Sequence, residues 1–449
     1  MIRIVGGGLA GCEAAWQAAA RGVRVALHEM RPARATAVHK TDRLAELVCS
    51  NSFRGAKLEH AVGLLKEEMR RLGSLVMRVA GETSVPAGAA LAVDRERFAA
   101  GVTGAIEAHP LISVVRGEVL RIPATGDPAS PVVLATGPLT SAALSAEIAA
   151  LVGRAHLYFY DAISPIVLAE SIDRSRVFRG SRWDESAGGD YLNCPLDARE
   201  YRALHAALVN AELADVHDFD DARFFEGCLP VEVLARRGLD TLRFGPLKPV
   251  GLTDPVTGRR PHAVVQLRQD NLAAEHYSLV GFQTQLKWGE QRRVLRMIPG
   301  LEQGEFVRYG MIHRNTYINA PTVLRETWQT RSDPYLLIAG QISGVEGYVE
   351  SAASGLLAGI NAAALAQGQA ASAPPRTTAM GALAYYVSHA HPADYQPTNA
   401  AFGLLPSLDN PPRNRRARRQ ALAARALRDL AAWSNRTVAH DERASAVVS

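Results

Sequence analysis

The chain has 449 residues, enough for two or three domains with a sizeable core, and its 47% hydrophobic and 21% charged residues match a soluble globular protein. No apolar run approaches the ~20 residues needed to span a bilayer, and the N-terminus opens directly on a strand with no room for a signal peptide, so a cytoplasmic protein is expected. The net charge is +5, yet seven arginines and no acid fall within residues 411–428, leaving the rest of the chain at −2. The basicity is local, as a polyanion contact requires.

Ile2 to Val5 is predicted as a short strand that runs into Gly6-Gly7-Gly8-Leu9-Ala10-Gly11 and then an alanine-rich helix. A second strand, Val23 to Leu27, ends near Glu29. This is a dinucleotide-binding pattern. Gly6 permits the tight turn, Gly8 clears the approach of a diphosphate, and Gly11 lets the helix lie close to the strand. The helix-start amides of Leu9 and Ala10 would face the diphosphate. Glu29 would accept hydrogen bonds from ribose hydroxyls, which favours FAD or NAD over NADP as the resident group.

Residues 30–42 form a loop with Met30, Arg31 and other basic residues that could pass near phosphates, followed by Leu44 to Ser52, a polar-ended stretch holding Cys49. Leu58, Val62, Leu65, Met69 and Leu72 repeat at helical spacing, with Gly73 as a C-cap. A helix through Phe98 and Ile106 precedes strands predicted at Leu111–Arg116 and Glu118–Ile122. Pro131 to Ala135 is a buried-type strand entering a turn at Thr136-Gly137.

From about Ser181 aromatic and charged residues rise and the α/β alternation is lost until about residue 330. This predicts an inserted α+β domain. The dinucleotide pattern resumes at Tyr335–Ala339, then Gly340-Gln341, Gly347-Tyr348 and a small-residue helix. The expected fold is α/β: a glutathione-reductase-like FAD-binding Rossmann domain in two parts, 1–180 and 330–449, with the insertion at 181–329 and a basic helical tail. Three glycine turns, the last far from the first, favour FAD over a nicotinamide cofactor. No second GxGxxG follows a strand, so a built-in NAD(P)H domain is not expected.

Cys12, Cys49, Cys194 and Cys228 form no CxxC pair, so neither a disulfide framework nor a metal site is expected. Cys12 and Cys194 read as core packing. Cys49, among serines and Asn51, and Cys228, after an aromatic run and beside Gly227, are the candidate reactive thiols.

The segments GGGLAGCEAAW, AELVCSNSFR, VPAGAALAVDRERF, DYLNCPL, FFEGCLPVE, RRGLDTLRFGPLKPVGL, LVGFQTQLKW, RYGMIHRNTYINAP and AGQISGVEGYVESAASGLLAGINA together resemble the TrmFO family of folate- and FAD-dependent tRNA (uracil-5-)-methyltransferases over nearly the whole chain. The GidA-type wobble-uridine enzymes share the FAD segments but are longer. The resemblance implies transfer of the methylene carbon of 5,10-methylenetetrahydrofolate to C5 of the T-loop uridine (position 54) of tRNA, with FAD reduced by NADPH or NADH. It makes Cys228 the nucleophile, gives Cys49 an auxiliary role and Tyr348 a proton-transfer role near the flavin, and stacks His313 on the pterin. Arg413, Arg415, Arg416, Arg418 and Arg419 are expected to meet RNA, while Arg314 and Lys287 read either as solvated charges or as contacts to folate's glutamate tail or an RNA phosphate. The expected partners are tRNA and folate, with no membrane and no metal, in a monomer or homodimer. The same chemistry on a ribosomal RNA uridine, a flavin-dependent small-molecule dehydrogenase, and a non-catalytic flavin-gated RNA binder stand as alternatives.

Overall fold

Ile2, Ile4 and Val5 are buried and only Arg3 is half-buried, so the first strand is pinned as the centre of a sheet from its opening residues. The computed structural model describes residues 1–36, 38–153, 157–182, 189–214 and 229–447, with the side chains of 157–162, 312–314 and 436–447 outside the description. The chain runs β1 (Ile2–Val5), α1 (Leu9–Ala20), β2 (Val25–Glu29), β3 (Ser52–Gly55), α2 (Ala61–Arg71), α3 (Leu75–Glu82), β4 (Ser84–Val85), β5 (Ala90–Val93), α4 (Arg95–Glu107) and β6 (Ile112–Arg116). There follow β7 (Val132–Leu134), α5 (Ala142–Val152), β8 (Leu157–Ala162), β9 (Ile166–Leu168), β10 (Phe178–Gly180), β11 (Tyr191–Leu196), α6 (Ala198–Asn210), α7 (Val231–Arg236) and α8 (Thr241–Phe244). Next come β12 (Ala263–Gln269), β13 (His276–Leu279), α9 (Trp288–Leu295), β14 (Phe306–Arg308), β15 (Ile312–Tyr317) and α10 (Ala320–Val323). The chain closes with β16 (Leu336–Ile338), α11 (Tyr348–Ala366), α12 (Ala379–His389) and α13 (Arg415–Val447).

The first sheet is parallel, in the order β16-β7-β1-β2-β6, with Ile4 between Leu27 and Val133, and Leu337 beyond Val133. This order puts the ends of β16, β7 and β1 side by side, so the three glycine turns expected from sequence share one edge. The strand expected at Glu118–Ile122 is absent. Those residues are irregular, and Glu118 instead pairs with Arg34.

Helices α1 and α11 lie unusually close. A Cβ at Gly355 would stand 2.1 Å from the Ala10 carbonyl oxygen, and one at Gly359 would stand 2.4 Å from that of Ala14. Glycines four apart on one helix thus meet alanines four apart on the other. Helix α11 is long and apolar enough to cross a membrane, but 83% of that apolar window is buried within the protein.

Buried acids anchor the helices around this layer. Glu13 accepts hydrogen bonds from the Leu75 and Val76 amides and from Ser74 Oγ at the start of α3, and Glu68 accepts from the Ala379 and Met380 amides at the start of α12. A carboxylate there satisfies amides that have no partner within the helix and complements its dipole.

A second sheet, β10-β11-β12-β13-β9-β14, is antiparallel and carries its own core, which includes Leu192, Tyr201, Val265, Leu267 and Phe282. Its strands begin at Ile166, ahead of the compositional change near residue 181. The chain enters and leaves this sheet through β8 and β15, which pair antiparallel with each other.

Candidate functional site

The turn after β1 is tightly built. Gly6 has φ +110°, and a Cβ there would lie 2.3 Å from the Ala135 oxygen; a Cβ on Gly11 would lie 1.8 Å from the Gly6 oxygen. Gly8 differs: a Cβ there meets no protein atom within 4 Å, because the residue faces a cleft. Two of these glycines are demanded by the protein's own backbone, and the third leaves room on the cleft side.

An open cleft lies against this turn. Gly6, Gly8, Leu9, Ala10, Glu29, Met30, Arg31, Thr136, Gly137, Gly340, Gln341 and Tyr348 all line it. The expected residues Gly11 and Gly347 do not. Gly11 sits beneath the turn, and Gly347, at φ +109°, begins α11 in a conformation few side chains tolerate. Helices α1 and α11 both start without a side-chain cap, so their first amides are left for a ligand.

Glu29 is held from two sides. Its carboxylate accepts hydrogen bonds from the Gly7 amide at 3.0 Å and from the Arg31 amide and Nε at 3.0 and 2.9 Å. Burial pushes its carboxyl upward, but Arg31 and the two amides outweigh that and hold it below its ordinary value. Arg31 also reaches Glu46 at 3.2 Å, and Arg34 pairs with Glu118, so these two loop arginines are already neutralised by acids. His39 lines the same cleft, and burial, then the Arg31 charge, bring its imidazole down to about 4. The sequence carries no signal for His39, whose place depends on how the loop folds back.

Uncapped helix starts, a glycine-cleared wall and an ionised carboxylate beyond them fit a dinucleotide such as FAD. The adenosine end would lie toward Glu29 and the diphosphate at Gly8–Ala10.

At the α11 end, Tyr348 meets the loop that carries Cys49. The phenolic oxygen accepts from the Cys49 amide at 2.9 Å and the Ser50 amide at 3.1 Å, and the Cys49 thiol lies 3.0 Å away. Burial, then the Cys49 charge, raise the Tyr348 phenol well above its ordinary value, so it stays protonated at neutral pH.

The second sheet grips the same loop. Arg268 of β12 donates to Asn51 Oδ1 at 2.8 Å and Ser50 Oγ at 2.9 Å, while Asn51 Nδ2 donates to the Gln269 and Val93 carbonyls at 3.0 Å each. Arg95 pairs with Asp270 at 2.9 Å and donates to the Leu47 carbonyl at 3.0 Å. Sequence reasoning missed Arg95, Arg268 and Asp270, because an arginine at a helix start or within a strand carries no local sign of a partner 175 or 217 positions away.

Cys12 and Cys194 are fully buried, and burial pushes both thiols far up, which suits packing rather than reaction. Cys228 lies outside the described residues. His313 is on β15 with its backbone opposite Asp161; its side chain and that of Arg314 lie outside the description. Lys287 pairs with Glu212 at 3.0 Å.

Arg413, Arg415 and Arg418 are exposed around the start of α13, Arg416 is exposed but paired with Glu59, and Arg419 donates to the Glu59 carbonyl with its guanidinium over Phe402. Arg425 is turned inward to the Ser407 and Pro406 carbonyls. Among the described residues no group of three or more His, Cys, Asp or Glu is arranged to hold a metal ion.

Residues 1–370 match the family described as "Glucose inhibited division protein A". The chain is 59% identical over 436 residues to the "Methylenetetrahydrofolate--tRNA-(uracil-5-)-methyltransferase TrmFO" of Symbiobacterium thermophilum, covering 96% of this chain and 97% of that one. It is 58% identical over 426 residues to the protein of the same name from Moorella thermoacetica, covering 95% and 96%. In fold it is similar to Aquifex aeolicus GidA, with TM-scores of 0.66 and 0.67 in two crystal forms at 17% and 18% identity. It covers 98% and 96% of this chain against 76% and 75% of the GidA chain, so the α/β architecture with a dinucleotide-type domain is shared and GidA is longer. With identity near three-fifths across almost the full length of both chains, and a cleft built where its glycine turns converge, this chain belongs to the TrmFO family.

Proposed function

We infer that this protein methylates C5 of a uridine in tRNA, taking the carbon from 5,10-methylenetetrahydrofolate and using FAD. The observation that carries this is the 59% identity, end to end, with a protein named for that activity. The finer reading is that the target is the T-loop uridine at position 54, that NADPH or NADH is the reductant, and that the reaction takes place in the cytoplasm. Residues 1–180 and 330–449 would hold the cofactor, and 181–329 would present the nucleophile, with the strands after Ile166 lent to the second sheet.

Bound FAD would supply the reducing equivalents that convert a methylene-level carbon to a methyl group. Uracil C5 is a poor nucleophile until a thiolate adds at C6, so we assign Cys228 to form that S–C6 bond and make C5 an enolate carbon. C5 would then bond to the folate-borne carbon, loss of the C5 proton would expel the folate nitrogen and leave a methylene on C5, and a hydride equivalent drawn from FAD would bring that carbon to methyl as the Cys228 sulfur departs and the ring is restored. Tyr348, protonated and fixed by the Cys49 and Ser50 amides, is assigned to move a proton beside the cofactor, with Cys49 held against it. His313 is assigned to the pterin, and Arg413, Arg415, Arg416, Arg418 and Arg419 to RNA phosphates.

The test is carbon transfer from labelled methylenetetrahydrofolate to an unmodified tRNA transcript in the presence of a reduced nicotinamide. Label at position 54 is expected, with none from S-adenosylmethionine. Cys228→Ala should keep its flavin and lose transfer, and a fully active Cys228→Ala would overturn the nucleophile assignment.

A further inference from the structure

Helix α9 with its C-cap residue Arg296, still in helical conformation, places Trp288, Arg292 and Arg296 at successive four-residue steps, so the three share one face, while Gln291, Val294 and Leu295 are buried on the other. Trp288 is 66% exposed, which is far from the usual fate of an indole. Its ring stacks on Tyr309, with centroids 6.3 Å apart and planes at 25°, and Arg292 Nε donates to the Tyr309 hydroxyl at 3.3 Å. Tyr309 in turn lies against Phe306, with centroids 5.8 Å apart. Arg292 and Arg296 are exposed, and among the described residues neither is paired with a carboxylate, in contrast to Arg293, which is tied to Glu290 on the neighbouring face.

The stripe is rigidly mounted. Buried Gln291 accepts from the Gly310 amide at 2.7 Å and donates to the Gly310 carbonyl at 2.8 Å, which fixes α9 to the turn that leads into β15. Glu232 of α7 accepts from Thr284 Oγ1 and the Gln285 amide, bringing the start of α7 to the strip just before α9. The platform therefore stands between the strand of His313 and the helix that follows Cys228 in the chain.

We propose that Trp288, backed by Tyr309 and flanked by Arg292 and Arg296, is a nucleobase-stacking platform that seats the tRNA substrate. The inference rests on the tRNA reading above and adds a binding surface to it. An exposed ring beside two exposed guanidiniums, Arg292 held only by the Tyr309 hydroxyl and Arg296 only by the Gly304 carbonyl among the described residues, suits a polyanion with flat bases: the ring takes a base face, and the guanidiniums take the flanking phosphates. An apolar protein partner would leave the two arginines without counter-charge.

The experiment is a titration of the full-length, flavin-loaded protein with an unmodified tRNA transcript at several salt concentrations, alongside carbon-transfer rates. Trp288→Ala should weaken RNA binding roughly tenfold, with Trp288→Phe restoring most of it. Arg292→Gln with Arg296→Gln should lower the slope of log affinity against log salt by about 1–2. Flavin content and flavin reduction by NADPH should stay at wild-type levels in all three. Affinity within twofold of wild type in both Trp288→Ala and the double glutamine variant overturns the proposal, as does a change in self-association without a change in RNA affinity. Failure of the underlying reading looks different, since the wild-type protein itself would then transfer no carbon to tRNA.

Discussion

Tyr348 and Cys49 lie 299 positions apart in the chain and meet at one phenolic oxygen, which stands 2.9 Å from the cysteine amide and 3.0 Å from its thiol. The link ties the Cys49 loop to the start of α11. Tyr348→Phe removes the acceptor for two amides and leaves them unsatisfied, at a cost of about 1–3 kcal/mol in stability. If the phenol also moves a proton, turnover falls by roughly 100-fold while flavin remains bound. Thermal unfolding and single-turnover rates read the two effects separately, and a phenylalanine variant turning over at the wild-type rate reduces Tyr348 to a structural clasp.

The glycines of the first turn should separate into two classes. Gly11→Ala drives a methyl group into the Gly6 carbonyl and should destabilise even the flavin-free protein by on the order of 3 kcal/mol. Gly8→Ala touches no protein atom, so the flavin-free protein should unfold at the wild-type midpoint while flavin content per chain drops. Equal losses of stability in both variants would contradict the assignment of Gly8 to the ligand side.

Arg268 ties the Cys49 loop to the second sheet through Asn51 and Ser50. Arg268→Met should speed alkylation of Cys49 and slow carbon transfer by roughly tenfold, the scale of losing hydrogen bonds to a charged group. Unchanged alkylation kinetics would show that the loop holds its shape without the arginine.

Burial pushes the Glu68 carboxyl up to about 7, against the pull of the Ala379 and Met380 amides and the Arg71 charge. The folded state thus holds this proton more tightly than the unfolded chain does. The resulting stability is fully present below the ordinary value of 4.5 and is lost as pH rises through about 7, with a slope of at most about 1.4 kcal/mol per pH unit. Glu68→Gln has no such proton, so the wild-type advantage over it should shrink between pH 5 and 8 in urea titrations. Parallel stability curves for the two proteins would refute the linkage.

The cofactor cleft was legible because its determinants are local. Gly6 to Gly11 with its flanking strand and helix, the turn at Thr136-Gly137, and Gly340-Gln341 each announce themselves within a few residues, and the parallel sheet only has to bring them together. The compositional change near residue 181 carries no mark of where the second sheet starts, at Ile166, because three apolar residues there look like any short strand. The arginine tail was visible as charge, but not its sorting: Arg425 faces carbonyls, whereas Arg413 and Arg415 stay exposed. The grip of Arg95, Arg268 and Asp270 on the Cys49 loop was illegible, because it depends on how two separately cored bodies dock.

The glycine-on-alanine contact between α1 and α11 has a bearing on biogenesis. The N-terminal βα unit leaves the ribosome first, yet the helix that must cover its alanine face is not translated until residues 348–366. The nascent protein therefore carries an unfinished crevice for most of its synthesis. Flavin capture is then expected only once α11 has been translated, so a product terminated before residue 348 should hold no flavin and gain none of the stability that a bound ligand confers.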